Sequence, residues 1–270
     1  MFTTNFVANG ALQTAYHDVG SGVPFVLVHG FTGSKLDFTS QIAWFVENQR
    51  VIAYDQRGHG ESSNQPPYDL ATLVEDLLGF LDALDIPTCH LLGHSMGGMV
   101  AMRAVLDHPE RFRSLILMDT GPEPLRLFDD NIRQHLIRTV TEGGCEALLE
   151  GMQGQPQSAA VQRGIDFLGE HEHWRRIRVK LAQMDPLAFV DLSAVLNNHE
   201  GVTDDLTQIS IPTTIIVGAE DKPFLEPAKL MASKIDDSQL VVIDNAAHSP
   251  QYENADVWRD AVLAHLSRAD

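Results

Sequence analysis

A chain of 270 residues with 44% hydrophobic content is long enough to bury a full core without metal or disulfide staples. Its net charge of -18 repels phosphate backbones and anionic lipid alike, which argues against a nucleic-acid or membrane-surface partner. Two cysteines, Cys89 and Cys145, make no disulfide framework, and with neither a signal-like start nor an apolar run of 18 residues the expectation is a cytoplasmic protein.

Taken in chain order, short apolar runs alternate with longer amphipathic stretches. The predicted buried strands are "FVLVHG" (25–30), "VIAYD" (51–55), "CHLLG" (89–93), "SLILMD" (114–119), "TTIIVG" (213–218) and "LVVID" (240–244). Helical patterns fall at 70–84, where Leu70, Leu73, Val74, Leu77, Leu78 and Leu81 form one stripe, at 97–107 and at 253–267. Such alternation predicts an α/β fold built on a mostly parallel, doubly wound sheet. Between Gly121 and Leu206 it stops, and helical segments with Gly and Pro breaks replace it. The expected organisation is therefore a core of residues 1–121 and 207–270 with an inserted helical cap, or lid, at 122–206.

Within "HLLGHSMGGMV" (90–100), Ser95 sits between two glycines, where a strand ends and a helix begins. A Gly-x-Ser-x-Gly string arises by chance about 0.1 times in a chain this long, so the string weighs less than its setting. A strand-to-helix turn exposes the hydroxyl at the carboxyl end of the sheet, beside free helix amides. Ser95 could instead merely cap the helix. A serine nucleophile needs an imidazole, itself oriented by a carboxylate. Asp221 in "VGAEDKP" and His248 in "IDNAAHSP" follow the last two predicted strands and leave the same sheet edge as Ser95. An oxyanion hole needs two amides, and the N–H groups of Met96 and of Phe31, in "VHGFTGS", stand at the expected places.

These residues, His29-Gly30-Phe31, "YDQRGHGES" (54–62), "GHSMGG" (93–98), "GAEDKP" (218–223) and "AHSP" (247–250), resemble the α/β-hydrolase superfamily over nearly the whole chain. The resemblance implies Ser95 as nucleophile, His248 as base and then acid, Asp221 as orienter, and Phe31 with Met96 as oxyanion donors. It gives the 54–62 turn a structural role. Asp119, in "MDTG", occupies a place that some members use for the acid, so both aspartates stay candidates.

The implied chemistry is acyl transfer on a small-molecule ester through an acyl-enzyme, with no cofactor and no metal. His171-Glu172-His173 offers no third ligand and reads as a solvated surface. Cap apolar residues, Phe128 and Trp174 among them, are candidates for the substrate pocket. Eight of the 19 basic residues lie in the cap region; an inward arginine there would bind a substrate carboxylate bidentately. A carboxylesterase is the leading reading. The alternatives are a hydrolase of anionic ring-cleavage products (a carbon–carbon bond hydrolase or an enol-lactonase) and a ligand receptor without turnover. Ser249 follows His248, where many carbon–carbon hydrolases carry tryptophan.

Overall fold

The computed structural model describes residues 2–125 and 129–269. Eight strands, β1 (Asn5–Asn9), β2 (Leu12–Gly20), β3 (Val23–Val28), β4 (Gln49–Tyr54), β5 (Cys89–His94), β6 (Phe112–Met118), β7 (Thr213–Gly218) and β8 (Ser238–Ile243), form one sheet in the order β1-β2-β4-β3-β5-β6-β7-β8. The pairs from β4 onward are parallel, whereas β1 and β2 form an antiparallel hairpin laid along β4. The six predicted strands are all present within two residues, but the last of them, β8, is a half-exposed edge strand rather than a buried one, with Leu240 and Val242 exposed; the hairpin is additional. Its signal is the turn after Asn9, where Gly10 takes positive φ, between two alternating runs, half exposed because an antiparallel edge pair keeps one wet face.

The helices are α1 (Leu70–Ala83), α2 (Met96–Asp107), α3 (Asp130–Gly143), α4 (Leu148–Gln153), α5 (Ala159–Leu168), α6 (Glu170–Ala182), α7 (Pro186–Asn198), α8 (Lys222–Lys234), α9 (Pro250–Glu253) and α10 (Ala255–Ala269). Five of them, α3 to α7, fall between β6 and β7, where the strand pattern lapses. Among the described residues no helix is long and apolar enough to cross a membrane.

Alternation along the strands creates two cores. Val26 and Val28 of β3 face a cluster with Leu73, Leu77, Met99 and Val100 of α1 and α2, while Phe25 and Leu27 face Phe38, Ile42, Phe45 and Trp258 on the other side. Burial on both faces explains why the central strands are continuous apolar runs. The chain leaves β3 to add β4 on one side and later returns to add β5 on the other. That reversal opens a crevice at the carboxyl ends of β3 and β5, the place where open parallel sheets bind ligands.

Candidate active site

Ser95 lies in that crevice. It connects β5 to α2 at φ 54° and ψ -120°, a region that costs a non-glycine residue of order 1–3 kcal/mol. Surrounding contacts hold it: its N–H donates to Met118 O at 2.9 Å, and its carbonyl accepts from Thr120 Oγ1 at 2.7 Å. The adjacent glycines are steric necessities. A Cβ on Gly93 would lie 2.4 Å from Gly97 O, and one on Gly97 would lie 2.4 Å from Val28 O. Ser95 makes no side-chain cap bond to its helix, so the capping alternative drops out.

The hydroxyl meets His248 instead. Ser95 Oγ is 3.0 Å from His248 Nε2, and His248 Nδ1 is 2.7 Å from Asp221 Oδ2. Because a carboxylate accepts only, Nδ1 carries the proton, which leaves the Nε2 lone pair facing the serine hydroxyl. Asp221 stands at the N-cap of α8 but makes no cap bond, its carboxylate being turned to the imidazole. The His248 loop folds closely over the end of β7, where a Cβ on Gly218 would lie 2.1 Å from Ala247 O. Phe224 stacks on the His248 ring at 5.1 Å. His94 Nε2 donates to the His248 carbonyl oxygen at 2.7 Å, and burial pushes His94 down to about 3, so it does this as a neutral ring. Neither Phe224 nor His94 was expected from the sequence: an aromatic in a helix and a histidine beside the serine carry no signal of their own.

Asp119 stands beside Asp221 and His248. Its Oδ1 accepts from Gly218 N at 2.9 Å, and Asp221 is the carboxylate bonded to the imidazole. Burial, then the charge of Asp221, raises the Asp119 carboxyl well above the ordinary range.

Phe31 and Met96 both flank the serine. Met96 opens α2, and Phe31 lines the same cavity as Ser95; a Cβ on Gly30 would come within 3.0 Å of Ser95 Cβ, which brings the 30–31 backbone against the elbow. The cavity is about 320 Å³, lined by Ser95 and His248 with Phe31, Met152, Ile177 and Leu181 as its apolar wall. A larger groove of about 750 Å³ lies among Leu70, Arg103 and His199, but none of the three residues at the elbow borders it.

Two expectations about the pocket need revision. Trp174 borders a separate depression with Gln153, Gln155 and Gln162, because α6 turns its 177 and 181 positions to the cavity instead. Phe128 lies outside the described residues. Among the described residues the cation lining the cavity is Lys180, while Arg176 is spent on Glu172, Ser40 and Leu36 O, and Arg175 on Glu172. Glu172, the middle of the His-Glu-His run, is thereby occupied, and those two arginines hold it down to about 2.

A sheet of this order with a serine on a strained strand-to-helix turn defines a class, and the comparisons agree. The sequence profile of the α/β hydrolase fold matches residues 23–255, and the chain belongs to that family. It is 28% identical over 250 residues to 3-oxoadipate enol-lactonase 2 of Acinetobacter baylyi, covering 91% of this chain and 89% of that protein. It is 29% identical over 254 residues to the dihydrolipoyllysine-residue acetyltransferase component of the acetoin cleaving system of Pseudomonas putida, covering 92% of this chain. The match spans 64% of that relative's length. Among solved structures, a thermophilic esterase from Thermogutta terrifontis superposes with a TM-score of 0.84 at 27% identity, covering 99% of each chain.

Proposed function

We propose that this protein is a serine hydrolase that cleaves carboxylic esters of small molecules through Ser95, His248 and Asp221. The observation that carries the reading is the unbroken relay from Ser95 Oγ to His248 Nε2 at 3.0 Å and from His248 Nδ1 to Asp221 Oδ2 at 2.7 Å. Helices α3 to α7, within residues 122–206, act in this reading as the cap that closes the cavity over the serine.

The chemistry follows from the placement. Ser95 Oγ attacks the ester carbonyl carbon as its proton passes to His248 Nε2, and Asp221 stabilises the resulting imidazolium. The oxyanion is held by the Phe31 and Met96 amides. His248 then delivers the proton to the departing alkoxide, which leaves as the alcohol. Water attacks the acyl-enzyme and gives its proton to His248, and the collapsing intermediate releases the acid as Ser95 recovers its proton. Each cycle returns every group to its starting state.

The test is hydrolysis of 4-nitrophenyl esters of increasing acyl length by the wild type and by Ser95→Ala. The expected result is activity peaking at a short acyl length, set by a cavity of about 320 Å³, and a loss of roughly 10⁴-fold or more in the folded variant. Near wild-type turnover by Ser95→Ala removes the assignment.

A further inference from the structure

The cavity that holds Ser95 is not purely apolar. Ile177, Lys180 and Leu181 share one face of α6, three and four residues apart, so the face that supplies the apolar wall also delivers an ammonium. Lys180 Nζ donates to Asp37 Oδ1 at 2.6 Å, with its side chain 18% exposed. Asp37 is in turn fixed: its Oδ2 accepts from Ser34 N at 3.1 Å, and the Lys180 charge overrides burial to hold its carboxyl below the ordinary range. An ammonium has three N–H donors, and among the described residues Asp37 is the one acceptor Lys180 uses. Desolvating two further N–H bonds without acceptors is unfavourable, and a ligand oxygen in the cavity satisfies them. Treated as a sphere, the cavity is about 8 Å across, the span from an ester carbonyl to a carboxylate a few methylenes away.

We propose that Lys180 is a subsite for a carboxylate on the acyl side of the substrate, so that the preferred substrates are half-esters of short dicarboxylic acids. This rests on the serine-hydrolase reading of the same cavity. Asp37, which lines the same cavity, acts as the holder that aims the ammonium, and the substrate carboxylate takes the N–H bonds that Asp37 leaves. A neutral ester offers the ammonium only an uncharged carbonyl oxygen, a weaker acceptor than a carboxylate, which is the source of discrimination.

The experiment compares monomethyl glutarate with dimethyl glutarate, which differ at the distal group by one charge, in wild type, Lys180→Met, Lys180→Arg and the double variant Asp37→Asn/Lys180→Met. Initial rates are followed by pH-stat, and circular dichroism checks folding. In wild type kcat/KM should favour the half-ester by roughly 10- to 100-fold, the worth of charge-assisted hydrogen bonds. That ratio should fall to near unity in Lys180→Met and also in the double variant, where no orphaned Asp37 charge remains, while Lys180→Arg keeps a preference. A wild-type ratio at or below unity, or a ratio unmoved by Lys180→Met, overturns the subsite. If wild type hydrolyses neither ester, the 4-nitrophenyl series with Ser95→Ala judges the hydrolase reading separately, and calorimetric titration of glutarate decides the subsite. Binding lost in Lys180→Met upholds it; no binding by wild type overturns it.

Discussion

Replacing Gly93 by alanine is the sharpest perturbation of the elbow. The new Cβ would sit 2.4 Å from Gly97 O and 2.7 Å from Gly98 Cα, both backbone atoms in the first turn of α2. Ordinary contact begins at 3.4 Å, so the turn must open by about 1 Å, and no flexible side chain is there to yield. Overpacking of this kind costs about 1–3 kcal/mol of stability. A displacement of about 1 Å at the nucleophile lowers the rate by roughly 100-fold, equivalent to about 2.7 kcal/mol in the barrier. Gly151→Ala is the matched control: it lies inside α4 with no atom within 4 Å of its Cβ position, and should be neutral or slightly stabilising. Both variants would be measured by denaturant unfolding and by kcat/KM on a 4-nitrophenyl ester. Should Gly93→Ala keep its unfolding midpoint and stay within threefold of wild-type turnover, the steric account of the glycines is wrong.

Asp221→Asn should lower kcat/KM by roughly 10³- to 10⁴-fold by losing the proton acceptor at His248 Nδ1, whereas Asp119→Asn, replacing a carboxyl bonded to Gly218 N and not to the imidazole, should fall by less than tenfold; equal losses would reverse the assignment of the two aspartates. Ile177→Trp should shift the acyl-length optimum to shorter esters while Trp174→Ala leaves it in place, since only the first borders the Ser95 cavity; the substrate series measures both. Stability should fall between pH 7 and 5.5. Burial lowers His29 to about 4 and His59, His94 and His265 to about 3, so below 6.5 the unfolded chain takes up protons that the native one refuses, at up to about 1.4 kcal/mol per pH unit each. Asp119 and Glu253, raised by burial, pull the other way, but four histidines outweigh two carboxyls; an unfolding midpoint that is flat or rising on acidification contradicts this balance.

What could be read from the sequence divides along a physical line. Buried parallel strands announce themselves because both faces are apolar, and Ser95 and Asp221 could be placed because each follows such a strand, while His248 follows the half-exposed edge strand β8, whose apolar run LVVI still marks the same sheet edge. The β1–β2 hairpin escaped because its alternating pattern is diluted by half-exposed polar residues. Inside the inserted helices the difficulty is different. Helix α6 carries Arg175, Arg176, Arg178 and Lys180 within six residues, and nothing in that string says which cation faces the cavity. Packing decides it. Arg175 and Arg176 are bound by Glu172 on their own helix and Arg178 is exposed, which leaves Lys180 to meet Asp37. Asp37 lies 143 positions away, on a short helical turn whose capping box with Ser34 fixes its carboxylate. The position of Ser95 is thus a consequence of local chain geometry, which one stretch of residues encodes. The subsite proposed at Lys180 rests on a contact between two distant segments, which only the folded arrangement brings together.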